Sequence, residues 1–556
     1  MFILEIRIRT WYNMYIIKKG QVNIMTQFIA FFMAIIFAID MFFVGLFPSD
    51  AIVFTQTNET VSFYVDGESE NGLLRYGVVG DGNLFEPGED INVIIECRDK
   101  NLDGKRAKVS LKSERASVRK RGYIVFDSDN PYSTFSFSSE INGIYTVSID
   151  LADRTNYSFN IGILPRNEQA DDAFLYGIQP YITRAYCWGE GFQLPNYNAE
   201  ESVNRILDTA DYLGVNLVRE DSVGWGAMQR EAFGAVDFTV QDMLVNKVNE
   251  HGMKYNWILG FNAGEWSVAD KYKDSYDEAL GWTYPPNEEI WLDFATKTAE
   301  HYSDNTAILW EIWNEPNWDF FKGSPEEYFS LLEKTATVLK NQNPEFYVFS
   351  GGLAVAQKES NLPFYQKSAE LMNKNLLNNF GYHNHDGLDN YYDYMNAMLG
   401  LTDNAGLTVG GINSESGVGG TDAATIACKA LYTRSTGAEG FVSFSFRKTV
   451  TPENDINNFA FFNEYLQPYD AAITYATVIR FLGNAEFKGN ISNERNLIID
   501  EYAKDGKTIK VYYSLGDTTK ISAPDGSYTA YDMYGNEIKT EKTIKVTNEP
   551  IYIICN

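Results

Sequence analysis

Between about residues 51 and 165, short runs alternate apolar and polar positions: Val61-Ser62-Phe63-Tyr64-Val65, Ile91-Asn92-Val93-Ile94-Ile95, Ala107-Lys108-Val109-Ser110-Leu111 and Gly143-Ile144-Tyr145-Thr146-Val147-Ser148-Ile149. A period of two, broken by turns such as Phe85-Glu86-Pro87-Gly88-Glu89-Asp90, predicts an antiparallel β-sandwich. From Phe174 the texture changes to strand and helix in alternation. Strands are predicted at Leu175-Tyr176-Gly177-Ile178, Val215 to Arg219, Lys254 to Leu259, Ile308 onward, Phe346 to Phe349, near Phe380 to His383, Leu407 to Asn413 and Gly440 to Phe446. Helices are predicted over 199–214, 238–252, 288–302, 325–340, 423–436 and 471–482. Eight strands, each followed by a helix or by room for one, fit an α/β fold of the (β/α)8 TIM barrel type with insertions. A doubly wound sheet is the alternative, but no Gly-rich phosphate loop follows any strand. After Gly483 the alternating pattern returns, in Asn496 to Asp500, Lys507 to Tyr513 and Thr543 to Val546, with a hairpin turn at Tyr534-Gly535-Asn536-Glu537. The predicted organisation is thus a leader over 1–50, a β-sandwich over 51–170, the barrel over 171–484 and a small β module over 485–556.

The leader carries Arg7, Arg9, Lys18 and Lys19 ahead of the apolar run Phe28 to Ile39, which Asp40 interrupts before Met41 to Phe47. That run has the length of a signal h-region, so export is expected, with retention as an uncleaved membrane anchor the alternative. A formal net charge of -29 argues against nucleic acid or an anionic membrane surface as a partner, and is compatible with a neutral polysaccharide. Cys97, Cys187, Cys428 and Cys555 are dispersed, and only four His occur, so no zinc site, disulfide scaffold or other metal or cofactor site is indicated.

Nine of the ten Trp lie between Trp188 and Trp318, which concentrates attention on the barrel. Inside it, the apolar run Ala307-Ile308-Leu309 leads into Trp310-Glu311-Ile312-Trp313-Asn314-Glu315-Pro316-Asn317. A strand ending in a carboxylate at a Pro turn presents that carboxylate at the carboxyl edge of the sheet, where barrel enzymes keep their chemistry. Glu315 is therefore the first catalytic candidate. The surrounding Trp residues suggest a sugar site, because pyranose rings offer apolar faces for stacking. Cleaving a glycosidic bond with retention takes two carboxyl groups, one to protonate the leaving group and one to attack. Glu415, in Ile412-Asn413-Ser414-Glu415-Ser416-Gly417, ends the seventh predicted strand across the mouth, whereas Glu439 begins the eighth and faces the wrong end.

Trp310 to Asn317 resembles the strand-four motif of clan A glycoside hydrolases, and Glu-Ile-Trp-Asn-Glu-Pro-Asn is closest to families 39 and 5. The resemblance implies that Glu315 is the acid/base, that Glu415 is the nucleophile and that Asn314 holds the substrate 2-hydroxyl. Arg219 resembles the clan's strand-two Arg, and Tyr382 and His383 lie where the clan carries a strand-six His and Tyr. Two departures stand out. The seventh strand reads Ser414-Glu415-Ser416 where clan members usually have Thr-Glu and an aromatic, and the eighth carries Phe444 and Phe446 in place of the frequent Trp. Trp188, Trp225, Trp266, Trp318 and Phe446 are the remaining candidates for sugar contacts. The expected activity is a metal-free retaining hydrolysis of β-linked oligo- or polysaccharide. The alternatives are a non-catalytic carbohydrate-binding surface protein on a degenerate barrel, and an inverting enzyme or transglycosylase.

Overall fold

The computed structural model describes residues 51–555 apart from 81, 190, 222, 418–421, 451–458 and 541. The expected leader at 1–50 lies outside the described residues, among which no helix is long and apolar enough to cross a membrane.

Eight parallel strands form one sheet: β1 (Leu175–Ile178), β2 (Leu217–Glu220), β3 (Lys254–Leu259), β4 (Ile308–Ile312), β5 (Tyr347–Ser350), β6 (Gly381–Asn384), β7 (Ile412–Ser416) and β8 (Gly440–Ser443). Neighbours in sequence are neighbours in space, and β8 returns to pair with β1. Isolated bridges from Phe349 to Asn379 and from Leu353 to Tyr382 join β5 to β6 and complete the ring. The chain is a (β/α)8 barrel, as the alternation predicts.

The expected helices occur at Ala199–Tyr212, Thr239–Glu250, Glu288–His301, Pro325–Gln342, Ala423–Ser435 and Asp470–Leu482. Their starts have local causes. Asn198 and Ser324 each form a reciprocal capping box with a Glu three residues on, and Pro325 occupies the first turn of its helix, where a missing N–H costs nothing. Two further helices, Leu362–Asn373 and Leu388–Asn404, fill the spaces after β5 and β6. Strand β7 begins later than the pattern predicts, because Gly411 turns in the left-handed region at φ 77° before Ile412 enters the sheet.

Before the barrel, two five-stranded sheets pack around a separate apolar core that includes Val93, Ile95, Val109, Val147 and Ile161. After it come a six-stranded and a two-stranded sheet. The sandwich grips the segment that follows β8: Tyr64 Oη donates to the Tyr465 carbonyl at 2.8 Å, and Gln467 Nε2 donates to the Asp66 carbonyl at 2.6 Å. Asn142 Nδ2 donates to the Tyr534 carbonyl at 2.9 Å and so ties the sandwich to the last module.

The inside of the barrel is layered by the period of two along each strand. Leu175, Leu217, Leu309, Phe349, Ile412 and Val442 form an apolar floor at the amino-terminal end. Two residues further along β2, β4 and β7 stand Arg219, Glu311 and Ser414, which bond to one another. Charge therefore begins immediately above the floor. Glu439 lies below it, where its carboxylate accepts from Tyr347 Oη, so it is at the opposite end from the mouth, as its position before β8 predicts.

Candidate active site

Arg219 is the centre of the polar layer and is completely buried. Its Nε donates to Glu311 Oε2 at 2.7 Å and its Nη2 to Glu311 Oε1 at 3.1 Å, a bidentate pair. Nη1 donates to Gln179 Oε1 and to Glu415 Oε2, both at 2.7 Å, and Nη2 donates to Asn314 Oδ1 at 2.7 Å. Burial opposes the guanidinium charge, but Glu311 and Glu415 more than compensate and hold it on.

Glu311 also accepts from Asn256 Nδ2 at 2.9 Å, the Gly352 N–H at 3.1 Å and Ser414 Oγ at 3.0 Å. Burial alone would raise its pKa. The Arg219 charge and its hydrogen bonds, together with His383, win and bring it down to about 2. Gly352 is required here, because a Cβ at that position would collide with the His383 ring.

His383 Nδ1 lies 2.8 Å from Glu315 Oε1, and its Nε2 lies 3.2 Å from Ser414 Oγ. Burial works against protonation of this ring, but Glu415, Glu311 and Glu315 outweigh it and raise the pKa to about 9. At neutral pH His383 is an imidazolium that donates from both nitrogens, to Glu315 on one side and, through Ser414, toward Glu311 on the other.

Glu415 receives Arg219 Nη1 on Oε2, and His385 Nε2 lies 3.2 Å from Oε1. Burial pushes the carboxyl upward, yet His383, His385 and Arg219 together hold it far below the usual carboxylate range. Alternation alone would not bring it here. Ser414 points inward to Glu311, so the next residue of a regular strand would point outward. The register of β7 against β8 is irregular between Asn413 and Ser416, and this bulge lets consecutive residues reach the same cavity.

Glu315 follows β4 through unusual backbone, with φ 70° at Trp313 and 43° at Glu315, and its N–H donates to the Gly352 carbonyl at 3.0 Å. Tyr181 after β1, Phe261 after β3 and Val355 after β5 also adopt positive φ, so left-handed non-glycine backbone gathers on the carboxyl side of the barrel. The result is that Glu315, His383 and Glu415 each place one side-chain atom within 4.8 Å of the others. Among the described residues these three also form the cluster placed to approach a cation. Arg219 beside Glu415 and the proton on His383 both oppose that use, since a metal needs a neutral imidazole.

Several sequence-predicted contacts lie elsewhere. Tyr382 is fully buried outside the barrel, packed by Phe380 and close to Tyr391, because it precedes His383 on the same strand and so takes the opposite face. Trp225 is 3% exposed and packs on Trp291 and Phe294, so this indole serves the helical layer, while Trp266, edge-on against it, is partly exposed. Trp310 and Trp313 are also core, the first stacked on Trp257 at 5.3 Å. Phe446 is fully buried against Phe462. Trp188 and Trp318 are 57% and 49% exposed and stay available for contacts. Sequence reasoning missed Gln179, Glu311, Ser414 and His385. It also missed Trp282, 39% exposed and edge-on to Phe261 and Phe320 on the carboxyl side of the barrel. The spacing His383-Asn384-His385 was the available signal for His385, since it puts two imidazoles on one strand face.

The buried carboxyl groups set a pH dependence of stability. Glu311, depressed to about 2, contributes stability that is present above its unfolded value of 4.5 and is lost as pH falls toward 2. Glu220, which accepts the Ile182 and Thr183 N–H groups, is raised to about 7 by burial and by Asp221, and burial raises Asp500 to about 7 as well. Those two hold their protons longer in the folded state, so they favour folding as pH drops from 7 toward 4.5. Each such displacement is worth up to about 3 kcal/mol. Thermal melts across the pH range are expected to show a midpoint that climbs from pH 7.5 to about pH 5 and falls steeply below about pH 4. A maximum at pH 7 to 8 would contradict this.

Comparison of the sequence with protein-family models and with curated proteins gives no match. The fold is similar to that of a family 39 glycoside hydrolase from the gut symbiont Bacteroides cellulosilyticus, at 17% identity and a TM-score of 0.64, over 86% of this chain and 99% of that one. A family 39 β-xylosidase from Caulobacter crescentus is similar at 15% identity and a TM-score of 0.47, over 70% of this chain and 98% of that one. The first likeness shows a shared fold extending over most of the chain.

Proposed function

We propose that this protein is a retaining clan A glycoside hydrolase that cleaves β-linked oligo- or polysaccharide by double displacement. One observation carries the reading: oxygens of Glu315 and Glu415 face each other within 4.8 Å at the carboxyl end of the barrel. Retaining enzymes place their two carboxyl groups ~5 to 5.5 Å apart, whereas inverting enzymes need ~6.5 to 9.5 Å to admit a water. The fold shared with a family 39 hydrolase and the Asn314-Glu315-Pro316 turn support the same reading.

The residues divide the work by charge. Glu415, kept ionised by Arg219, His383 and His385, attacks the anomeric carbon. Glu315 passes its proton to the glycosidic oxygen, the bond to the leaving sugar breaks, and a glycosyl ester on Glu415 remains. Glu315 then takes a proton from water, the resulting hydroxide attacks the anomeric carbon, and the ester opens to restore Glu415. Asn314 is fixed through its carbonyl by Arg219, which leaves its NH2 as the donor for the substrate 2-hydroxyl.

The test is hydrolysis of a panel of aryl β-glycosides and polysaccharides, followed by proton NMR of the first-formed product. Retention is expected; inversion, or no turnover on any substrate, would overturn the proposal. In the same assay Glu315→Gln should lose about 10³-fold on substrates with poor leaving groups and roughly 10-fold on activated aryl glycosides in the glycosylation step. Equal losses on both would remove the acid/base role from Glu315.

A further inference from the structure

Lys429 is completely buried in the helix Ala423–Ser435, yet among the described residues no carboxylate lies within bonding distance of it. Its Nζ donates instead to three backbone carbonyls: Asn384 at 2.9 Å, Asp386 at 3.2 Å and Gly417 at 3.0 Å. Three acceptors match the three N–H bonds of an ammonium group, and the Nζ lies 5.0 Å from the centre of the Tyr391 ring. The identity of the carbonyls is informative. Asn384 and Asp386 flank His385, and Gly417 lies two residues beyond Glu415.

The two segments also bond directly, since Ser416 Oγ and the Gly417 N–H both donate to the Asn384 carbonyl, at 3.0 and 3.2 Å. Lys429 adds a tie from behind. At its outer edge His385 is one-third exposed and meets Phe444 and Phe459 edge-on. A ring on a short segment, gripped through the carbonyl on either side, is held at a fixed reach.

We infer that Lys429 is a positioning residue of the proposed active site, which sets the reach of His385 to Glu415 by clamping the main chain on both sides of His385 and just past Glu415. The role rests on the hydrolase reading only for its kinetic consequence. The geometric claim is separate.

The experiment compares wild type with Lys429→Met, Lys429→Gln, His385→Ala and the double variant Lys429→Met with His385→Ala. The protein has only four histidines, so ring-nitrogen NMR of histidine-labelled protein, assigned with His385→Ala and Glu415→Gln, isolates the His385 signal. Lys429→Met is expected to move the His385 Nε2 signal in the direction that Glu415→Gln moves it. It should also lower kcat about 10- to 100-fold with KM changed less than about threefold. Because both changes break one contact, the double variant should fall within about twofold of the worse single. An unmoved His385 signal, or losses that multiply in the double variant, would overturn the inference. So would failure of both Lys429 variants to fold, which would make the lysine architectural. If wild type hydrolyses nothing and the His385 signal still moves in Lys429→Met, the hydrolase reading fails and the positioning claim stands.

Discussion

Glu415→Gln is expected to lower kcat/KM by roughly 10⁴-fold or more on good and poor leaving groups alike, about 5.5 kcal/mol or more of lost transition-state stabilisation. The loss is general because a neutral amide cannot form the glycosyl ester, whatever departs. Fold stability should fall too, because a carboxyl held far below its ordinary range stabilises the fold in its ionised form. Arg219 still has Glu311 as its bidentate partner, and glutamine keeps the shape that fills the bulge, so the protein should stay folded. His383 changes more than the backbone does: Glu415 heads the charges that hold its pKa near 9, so the variant should titrate the imidazole closer to neutrality. Glu415→Gly with added azide gives a sharper result, since the anion occupies the vacated face and should release a glycosyl azide of inverted configuration. Azide with Glu315→Gly should give the retained configuration. The same product from both variants would mean that the two glutamates do not have opposite roles.

Arg219→Met should be the most damaging single change to the fold as well as to activity. It strips the cation from Glu311 and Glu415 together and leaves the two carboxylates with His383 and His385 to compensate. Breaking a buried pair on one side costs about 3 to 5 kcal/mol, and activity should fall at least about 10³-fold because Glu415 and Asn314 both lose their anchor. The pairing explanation is checked by Arg219→Met combined with Glu311→Gln, measured by urea unfolding. Removing both charges should return most of the lost stability while activity stays absent. If the double variant is as unstable as Arg219→Met alone, packing of the guanidinium stem, not its charge, is what Arg219 contributes.

The barrel was readable from the chain because each buried strand is a short apolar run set between helices with capping residues, and that contrast survives without three-dimensional information. Glu315 was readable for a related reason, since a Pro turn after such a run marks the carboxyl edge. Glu311 was not. It sits between Trp310 and Ile312 inside what reads as a strand interior, and only the ring of neighbours reveals that strand interiors face a charged layer as well as a floor. The helices Leu362–Asn373 and Leu388–Asn404 lack side-chain caps, so Pro363 in the first turn of the former is the one start signal of this kind between them. The aromatic argument succeeded only in part. Indole volume is equally useful for filling space between strands and helices, and Trp225, Trp310 and Trp313 are used that way. Tyr382 could have been assigned correctly, because two consecutive strand residues do not ordinarily share a face and His383 has the inward one.

Strand β7 breaks that ordinary rule, and its irregular register makes the site depend on length as well as on identity. If β7 paired regularly with β8 while Ser414 kept its inward place, the carboxylate of Glu415 would turn toward the layer of Tyr391, even with every letter of Ser414-Glu415-Ser416 intact. Relatives of this chain that carry the same tripeptide on a strand without the extra residue would look competent by motif and yet present serine alone to the cavity. The offset of Ser416 against β8, where it pairs with Ser443, is therefore as diagnostic as matching the tripeptide.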